Sequence, residues 1–284
     1  MRVLLIGANG MLGKDIVQEW RDDELILATS RDADIRNYDE VERLIARSKP
    51  DWIVLTAAFT DVDGSERDSD AAFAVNYAGT KNVAKLAKQF GAKLLYVSTD
   101  YVFDGSGTRP YQPDDPIAPI NIYGESKARG EKAVQDHLSD WCIVRTSWLF
   151  GASGSSFPEK ILRAAETRPE LSVVADQVGS PTFTRDLAVA IRTLVHADAR
   201  GIINVTNSGT CSWFEFAKEI LRQAGKDSIA VKPIGTAQAA RAARRPAYSV
   251  LSPDALHALG IHVRHWREAL TDYLEELRRL RKLP

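Results

Sequence analysis

Residues 3–13 of this chain read Val3-Leu4-Leu5-Ile6-Gly7-Ala8-Asn9-Gly10-Met11-Leu12-Gly13. The four consecutive apolar residues at the start are typical of a short, buried strand. The glycines Gly7, Gly10 and Gly13 follow with the spacing GxxGxxG, which allows a tight turn and lets the backbone approach a phosphate closely. A helix that begins directly after the turn would add N–H donors and the positive end of its dipole. The stretch therefore predicts a strand–turn–helix unit that binds phosphate.

Strand and helix patterns alternate through about the first 150 residues. The predicted strands cover residues 3–6, 25–28, 52–58, 94–98 and 142–146. The predicted helices cover residues 11–20, 38–48, 71–90 and 123–137. This alternation is typical of a doubly wound parallel sheet with helices on both faces. With the glycine turn, it predicts a Rossmann-type α/β domain over residues 1–150 that binds a dinucleotide cofactor.

The pattern loosens after residue 150. Shorter predicted elements cover residues 172–174, 182–195, 202–206 and 213–224, and a charged helix covers about 266–281. We predict that residues 151–284 form a smaller C-terminal α/β lobe, which mainly binds substrate and is interleaved with the end of the sheet.

Composition excludes several classes of protein. The chain has 284 residues, and its 37 Lys and Arg nearly balance 38 Asp and Glu, so no net charge attracts nucleic acid. No apolar run approaches the roughly 20 residues of a membrane helix. Cys142 and Cys211 are isolated and are expected to be reduced, and the five histidines are scattered, which predicts no metal site. Together these features predict a cytoplasmic location.

The end of the second strand bears on the cofactor. An NAD-dependent enzyme usually has an acidic residue there, which binds the ribose hydroxyls. This chain has Ser30 and Arg31, and a guanidinium suits a 2′-phosphate because it binds two phosphate oxygens at once. Asp32 follows directly and argues the other way. We therefore predict NADPH, with NADH as the alternative.

A candidate catalytic group combines three residues. Tyr123 and Lys127 form YxxxK, and residues four apart lie on one face of a helix. The nearby ammonium is expected to lower the pKa of the tyrosine, as general acid–base chemistry requires. Thr99 ends the fourth strand, at the sheet edge where open α/β folds bind ligands, and could hydrogen-bond a substrate carbonyl. Lys127 could also hold the nicotinamide ribose.

Several strings of residues resemble the extended short-chain dehydrogenases/reductases, and within them the dTDP-4-dehydrorhamnose reductases. The resemblance runs nearly end to end. Its most specific strings are STDYVFDG at 98–105, NIYGESK at 121–127, RTSWLFG at 145–151, DQVGSPT at 176–182 and RPAYS at 245–249.

The resemblance implies reduction of the C4 keto group of dTDP-4-dehydro-L-rhamnose, with Tyr123 as proton donor and Lys127 as its partner. Thr99, Asp100 and Trp148 would contact the sugar. The cofactor residues that it implies are Gly10, Met11 and Leu12 at the pyrophosphate, Asp34 and Ile35 at the adenine, and Ala57, Ala58 and Phe59 after the third strand. Val97 completes the candidate cofactor set.

Other interpretations stay open. A 4,6-dehydratase would need an acidic pair after the threonine, whereas Thr99 is followed by Asp100 and Tyr101. An epimerase would retain its NAD through catalysis. A branch that resembles this family serves as a regulatory subunit of methionine adenosyltransferase and binds NADP. Arg245 is a candidate cation for the substrate diphosphate, and a homodimer is open.

Overall fold

The computed structural model describes residues 1–280. Its strands are β1 Arg2–Ile6, β2 Glu24–Ala28, β3 Trp52–Leu55, β4 Lys93–Thr99, β5 Trp141–Thr146, β6 Leu149–Phe150, β7 Glu170–Val174, β8 Val178–Gly179, β9 Thr182–Phe183, β10 Gly201–Asn204, β11 Cys211–Ser212 and β12 Ala230–Ile234. Six of them form the main sheet in the order β10-β5-β4-β3-β1-β2, with every neighbouring pair parallel. The predicted doubly wound parallel sheet is confirmed.

The α-helices are α1 Met11–Glu19, α2 Tyr38–Ser48, α3 Val62–Arg67, α4 Ser69–Phe73, α5 Thr80–Phe90, α6 Ile122–His137, α7 Phe157–Ala164, α8 Thr184–His196, α9 Trp213–Gln223, α10 Asp254–Ala258 and α11 Trp266–Arg279. Helices α1 and α8 pack together on one face of the sheet, and α2, α5 and α6 pack on the other. Each face has its own apolar core, as a sheet buried on both sides requires.

Three predicted elements differ from the structure. The helix expected over 71–90 is α4 and α5 joined by a π-helix at Ala74–Gly79. The strand expected over 52–58 ends at Leu55, and the next residues form a loop. Helix α11 ends at Arg279, and Arg281, at the end of the predicted charged helix, lies outside the described residues.

The strand order places a crevice in the sheet. From β1 the chain moves outward to β2, then returns to β3 on the other side of β1. At such a reversal the loops leave in opposite directions, and ligands bind outside the carboxyl ends of the strands. Gly7 after β1 and Ala57 after β3 lie at this point.

The remaining strands form three short pairs, β6 with β9, β7 with β12, and β8 with β11. With α7, α9 and α11 they enclose a third core, rich in aromatic residues such as Phe150, Phe216 and Tyr273. Strand β10 and helix α8 lie beyond residue 150 in the chain but pack with the main sheet. A boundary at residue 150 stays a prediction. Among residues 1–280, no helix is both long and apolar enough to cross a membrane.

Candidate active site

A cleft of about 850 Å³ opens at the carboxyl ends of the central strands. Its wall combines the glycine turn after β1, the loops after β2 and β3, the end of β4, the first turn of α6 and the segment after β5. Of the predicted site residues, those that line it are Gly7, Gly10, Met11, Leu12, Gly13, Ser30, Asp34, Ile35, Ala57, Ala58, Val97, Thr99, Asp100, Tyr123, Lys127 and Trp148.

The glycine turn forms a cradle that side chains would fill. Gly7 has a φ of 101°, and a Cβ there would lie 2.6 Å from the backbone nitrogen of Ala57. A Cβ at Gly13 would lie 2.2 Å from the Gly7 carbonyl oxygen, so α1 packs closely against the turn. Gly10 caps α1 without a side-chain hydrogen bond, which leaves the first N–H groups of the helix for an anion. The cradle therefore fits a dinucleotide pyrophosphate.

The loop after β2 places neither Asp32 nor Arg31 where the sequence predicted it. Asp32 accepts hydrogen bonds of 2.8 Å from both the backbone N–H and the hydroxyl of Thr29, and these bonds lower the pKa of Asp32. Its carboxylate thus turns back onto its own loop, where it does not take the place of a ribose-binding acid. Ser30 lines the cleft, but Arg31 is absent from the lining that residues 1–280 provide. Arg36 lines the cleft instead and was missed by the sequence analysis.

Arg36 lies next to the residues expected at the adenine. Its guanidinium forms an ion pair with Asp34, with Nε 2.9 Å from Oδ2 and Nη2 2.5 Å from Oδ2. These hydrogen bonds hold the pKa of Asp34 below its ordinary value. Ile35 is buried, and a Cβ at Gly79 would collide with it, so the loop is packed closely against the π-helix.

Asn76 in the π-helix anchors the loop after β3. Its Oδ1 accepts the Phe59 N–H at 2.8 Å, and its Nδ2 donates to the Phe59 carbonyl at 3.0 Å and to Ser126 Oγ at 2.9 Å. The Ser126 hydroxyl donates in turn to the Tyr123 carbonyl. Phe59 is thus held by its backbone and, among the described residues, is outside the cleft wall, whereas Ala57 and Ala58 form part of it.

Tyr123 and Thr99 meet at the end of β4. Both residues line the cleft, and the Thr99 side chain acts on the Tyr123 phenol to lower its pKa. The Thr99 hydroxyl also donates to Oδ1 of Asp100 at 2.9 Å and accepts the Tyr101 N–H at 3.2 Å. Burial raises the pKa of the Asp100 carboxyl to about 7, against the opposing effect of the Ser249 and Thr99 hydroxyls.

The expected lowering of the Tyr123 pKa is wrong for this structure. Burial raises the pKa of Tyr123 to about 12, and the Thr99 side chain only partly offsets this rise. The physical reason is that a phenolate loses its hydration inside the cleft wall, which outweighs nearby favourable groups. Tyr123 is therefore a neutral phenol at neutral pH, which is the form that can donate a proton.

Lys127 is buried one helical turn further along α6. Its ammonium donates to the Val97 carbonyl at 2.7 Å and lies 4.1 Å from the centre of the Tyr96 ring. Burial lowers the pKa of Lys127 to about 7, opposed by the negative charge of Glu131. The carbonyl and the ring therefore fix the ammonium at the cleft edge of β4.

Glu131 and Arg145 form a buried ion pair behind these residues. Nε and Nη2 of Arg145 lie 3.0 Å and 2.7 Å from the two Glu131 oxygens. Ser98 donates to the same carboxylate, and Arg145 also donates to the Pro113 carbonyl. The pair joins β4, β5 and α6, and the sequence analysis did not identify it because its members lie in separate motifs.

Two indoles lie in the cleft wall after β5. Trp148 was expected at the sugar, and its ring stacks on that of Trp213, with centroids 3.5 Å apart. Trp213 lines the cleft as well. Sequence analysis missed Trp213 because it begins a helix far along the chain and belongs to none of the recognised strings.

Arg245 is held by an acidic residue. Its Nη1 and Nη2 lie 2.6 Å and 2.9 Å from the two oxygens of Asp63, and Nη1 also donates to the Ala243 carbonyl. Arg245 lowers the pKa of Asp63 to about 2 through this hydrogen bond. Within residues 1–280, the guanidinium is outside the cleft wall. Its contact with a diphosphate stays a prediction.

A dinucleotide cradle that opens onto a tyrosine, a lysine and a threonine at one sheet edge defines a short-chain dehydrogenase/reductase of the extended type. The family model described as the RmlD substrate binding domain matches residues 1–279. The chain belongs to the dTDP-4-dehydrorhamnose reductase family.

Similar proteins include enzymes and solved structures. The chain is 43% identical to the spore coat polysaccharide biosynthesis protein SpsK of Bacillus subtilis, over 97% of each chain. It is 39% identical to a dTDP-4-keto-6-deoxy-D-glucose reductase of Streptomyces niveus, over 95% of each chain. The crystal structure of a dTDP-4-dehydrorhamnose reductase from Bacillus anthracis in complex with NADP has a TM-score of 0.94 and 40% identity, covering 97% of this chain and 99% of that one.

Proposed function

We propose that this chain reduces the C4 keto group of dTDP-4-dehydro-L-rhamnose to give dTDP-L-rhamnose. The observation that carries the proposal is that Tyr123 and Thr99 line the same cleft, whose other end is the glycine cradle. A proton donor and a carbonyl-binding hydroxyl thus lie at the place where the cofactor's reactive ring would meet a substrate.

The chemistry requires one hydride and one proton. NADPH supplies the hydride to C4 when it is bound. Tyr123 donates its phenolic proton to the C4 oxygen, so the π bond of C=O is replaced by one C–H and one O–H bond while the C–O single bond remains. Thr99 hydrogen-bonds the same oxygen as negative charge develops on it, which stabilises the transition state.

Lys127 acts beside the tyrosine. Its ammonium is fixed by the Val97 carbonyl and lies against the Tyr96 ring. From there it would hold the nicotinamide ribose hydroxyls and, when charged, would favour the tyrosinate that forms after proton transfer. Since burial lowers the pKa of Lys127 to about 7, its charge depends on pH in the physiological range.

The remaining proposed site residues divide between the two ligands. The pyrophosphate would lie on Gly7, Gly10, Met11, Leu12 and Gly13, and the adenosine would lie against Ser30, Arg31, Asp34 and Ile35. Ala57 and Ala58 would flank the cofactor, with Val97 at the nicotinamide end, whereas Phe59 lies outside the cleft wall that residues 1–280 form. Asp100 and Trp148 would contact the sugar, and Arg245 would support the substrate diphosphate indirectly, by holding its loop against α3 through Asp63. Residues 1–150 thus hold mainly the cofactor, and residues 151–284 mainly the substrate.

NADPH rather than NADH is supported by two features. Asp32 is bonded to Thr29, so it does not present its charge to the ribose. Ser30 and Arg36 line the cleft at the adenosine end, and the Arg36 guanidinium, which pairs with Asp34 in this structure, would suit a 2′-phosphate if it exchanged that partner. We also propose that the protein forms a homodimer and that it is located in the cytoplasm.

A second substrate is favoured by one relative. The Streptomyces niveus protein is named for dTDP-4-keto-6-deoxy-D-glucose, which has the same nucleotide and keto group but another ring configuration. The same Tyr123 and Thr99 chemistry serves both sugars. We therefore propose this ketosugar as the alternative substrate.

The test is NADPH oxidation by the purified chain, followed at 340 nm with each of the two ketosugars and with NADH in parallel. We expect rapid turnover with dTDP-4-dehydro-L-rhamnose and NADPH. No turnover with either sugar would contradict the proposal and favour a non-catalytic NADP-binding subunit. NAD that remains bound through purification would instead favour an epimerase.

A further inference from the structure

The stacked indoles of Trp148 and Trp213 are assembled from distant parts of the chain. Their planes are inclined by only 6°, and both rings line the cleft. Trp148 directly precedes β6, whereas Trp213 is the first residue of α9. The pair therefore exists only in the folded lobe.

Trp148 has an unusual backbone conformation. Its φ is 49°, in the left-handed region that bulky residues seldom adopt. Its carbonyl accepts a hydrogen bond from the Thr182 N–H at 3.2 Å. Such a conformation persists only where the surroundings determine it, and it tends to occur at functional sites.

Gly179 makes room for the Trp148 ring. A Cβ at this position would lie 2.5 Å from Cε2 and 2.7 Å from Nε1 of the indole. Gly179 in β8 pairs with Cys211 in β11. Strand β8, which makes room for Trp148, therefore lies beside β11, which directly precedes Trp213. Two parts of the lobe thus place the rings together.

Trp213 is itself held firmly. Ser212 caps α9, its hydroxyl accepting the Glu215 N–H at 3.1 Å while the Glu215 carboxylate accepts the Ser212 N–H at 2.7 Å. The Phe157 ring lies 4.5 Å from the Trp213 ring. The second indole is therefore a fixed support, and Trp148 is the ring that it supports.

We propose that Trp213 is a positioning residue for sugar recognition: it covers one face of the Trp148 indole and fixes its plane, so that the rest of the Trp148 ring is a rigid apolar surface for the carbon–hydrogen face of the sugar. The inference rests on the proposed function, which supplies the class of substrate. Aromatic faces carry partial negative charge and attract C–H groups. A ring fixed before binding loses less side-chain entropy when the sugar arrives.

Three variants test this role: Trp213→Leu, the conservative Trp213→Phe, and Phe214→Leu as a matched control on the same helix outside the cleft. Binding of dTDP-L-rhamnose and of dTDP alone is measured by calorimetry, and KM and kcat are measured with the ketosugar. For Trp213→Leu we expect the affinity for dTDP-L-rhamnose to fall about 10-fold and KM for the ketosugar to rise by a similar factor, on the scale of one aromatic pair. Binding of dTDP and kcat should change little, and Trp213→Phe should restore most of the affinity.

Near-UV circular dichroism provides a spectroscopic signature. The stacked indoles couple electronically, which gives rise to a band in the near-UV spectrum. We expect this band to disappear in Trp213→Leu but to persist in Phe214→Leu. Unchanged affinity for dTDP-L-rhamnose in Trp213→Leu, an equal loss for dTDP, or the same loss in Phe214→Leu would each overturn the inference. Failure of the proposed function has a different result, because the wild-type protein would then fail to turn over either ketosugar.

Discussion

The hydroxyl of Ser98 lies 2.5 Å from Oε1 of Glu131, so the strand that ends in Thr99 is tied to the helix that carries Tyr123 and Lys127. Arg145 completes the link by binding both oxygens of the same carboxylate. The three groups are buried. The relative placement of the proposed proton donor and the proposed carbonyl-binding hydroxyl therefore depends on an ion pair that the substrate does not touch.

We expect Glu131→Gln to lower the free energy of unfolding by about 3–5 kcal/mol, because Arg145 would be left as a buried charge without its partner. Urea denaturation at neutral pH measures the change. Glu125→Gln is the matched control on the same helix, since its pair with Arg129 is exposed and should contribute less than about 1 kcal/mol. Equal losses in the two variants would contradict the assigned role of the buried pair.

We expect Tyr123→Phe to reduce kcat by about 100- to 10,000-fold, the usual contribution of a positioned general acid. Binding of NADPH, measured by fluorescence, should be nearly unchanged. Tyr101→Phe is the control, because its ring contacts that of Tyr123 with centroids 5.8 Å apart. If Tyr101→Phe were as inactive as Tyr123→Phe, the proton donor would have to be reassigned.

Asp100 should make stability depend on pH. Its folded pKa of about 7 lies above the ordinary value of 3.8, so the folded state holds a proton that the unfolded state loses. The contribution of Asp100 to the free energy of unfolding is therefore fully present below about pH 4, and it is lost as pH rises to about 7. We expect Asp100→Asn to gain roughly 2–4 kcal/mol over the wild type between pH 4.5 and pH 8, at about 1.4 kcal/mol for each pKa unit.

Asp104 provides a control of opposite sign for this measurement. Hydrogen bonds from Ser106 lower the pKa of Asp104, so its contribution is present at higher pH and is lost only as the solution becomes strongly acidic. Asp104→Asn should therefore show no gain between pH 4.5 and pH 8. A pH-independent difference between Asp100→Asn and the wild type would show that Asp100 does not titrate in this window.

The role of Arg245 can be tested by comparing its substitution with that of its partner Asp63. If the guanidinium serves mainly to hold the loop against α3, Arg245→Ala and Asp63→Asn should raise KM for the ketosugar by similar factors, each below about 10-fold. We expect this result, because the guanidinium already has two carboxylate contacts. A rise confined to Arg245→Ala would instead support direct contact with the diphosphate.

The cofactor preference should depend on Arg36 more than on Arg31. We expect Arg36→Ala to raise KM for NADPH at least about 10-fold and to leave KM for NADH nearly unchanged, because hydrogen bonds to charged groups contribute about 1.5–3 kcal/mol. Arg31→Ala is the matched control. The reverse order of effects would restore Arg31 as the 2′-phosphate residue.

Features encoded over a short stretch of chain could be predicted. The run Val3–Ile6 and the glycines after it belong to one local unit, so the strand, turn and helix followed from spacing alone. The position of Thr99 at the cleft also followed, since the carboxyl ends of parallel strands share an edge and ligands bind there. Alternation of strand and helix was sufficient for the parallel sheet.

Features that depend on distant contacts could not be predicted. The pairing of Glu131 with Arg145 and the stacking of Trp148 on Trp213 join residues that no spacing relates. The pKa of Tyr123 was predicted in the wrong direction because the sequence shows the neighbouring lysine but not the depth of burial. Burial is a property of the whole fold, so its effect on charge appears only with the structure.

The position of strand β10 affects how the chain folds during synthesis. It closes the outer edge of β5, yet a ribosome synthesises it only after the whole aromatic segment that contains β6–β9 and α8. Until then β5 presents unpaired backbone groups, which readily recruit other strands. A fragment cut at residue 150 would keep that bare edge permanently, so the intact chain is the natural unit for expression, and the late residues protect the early ones from aggregation.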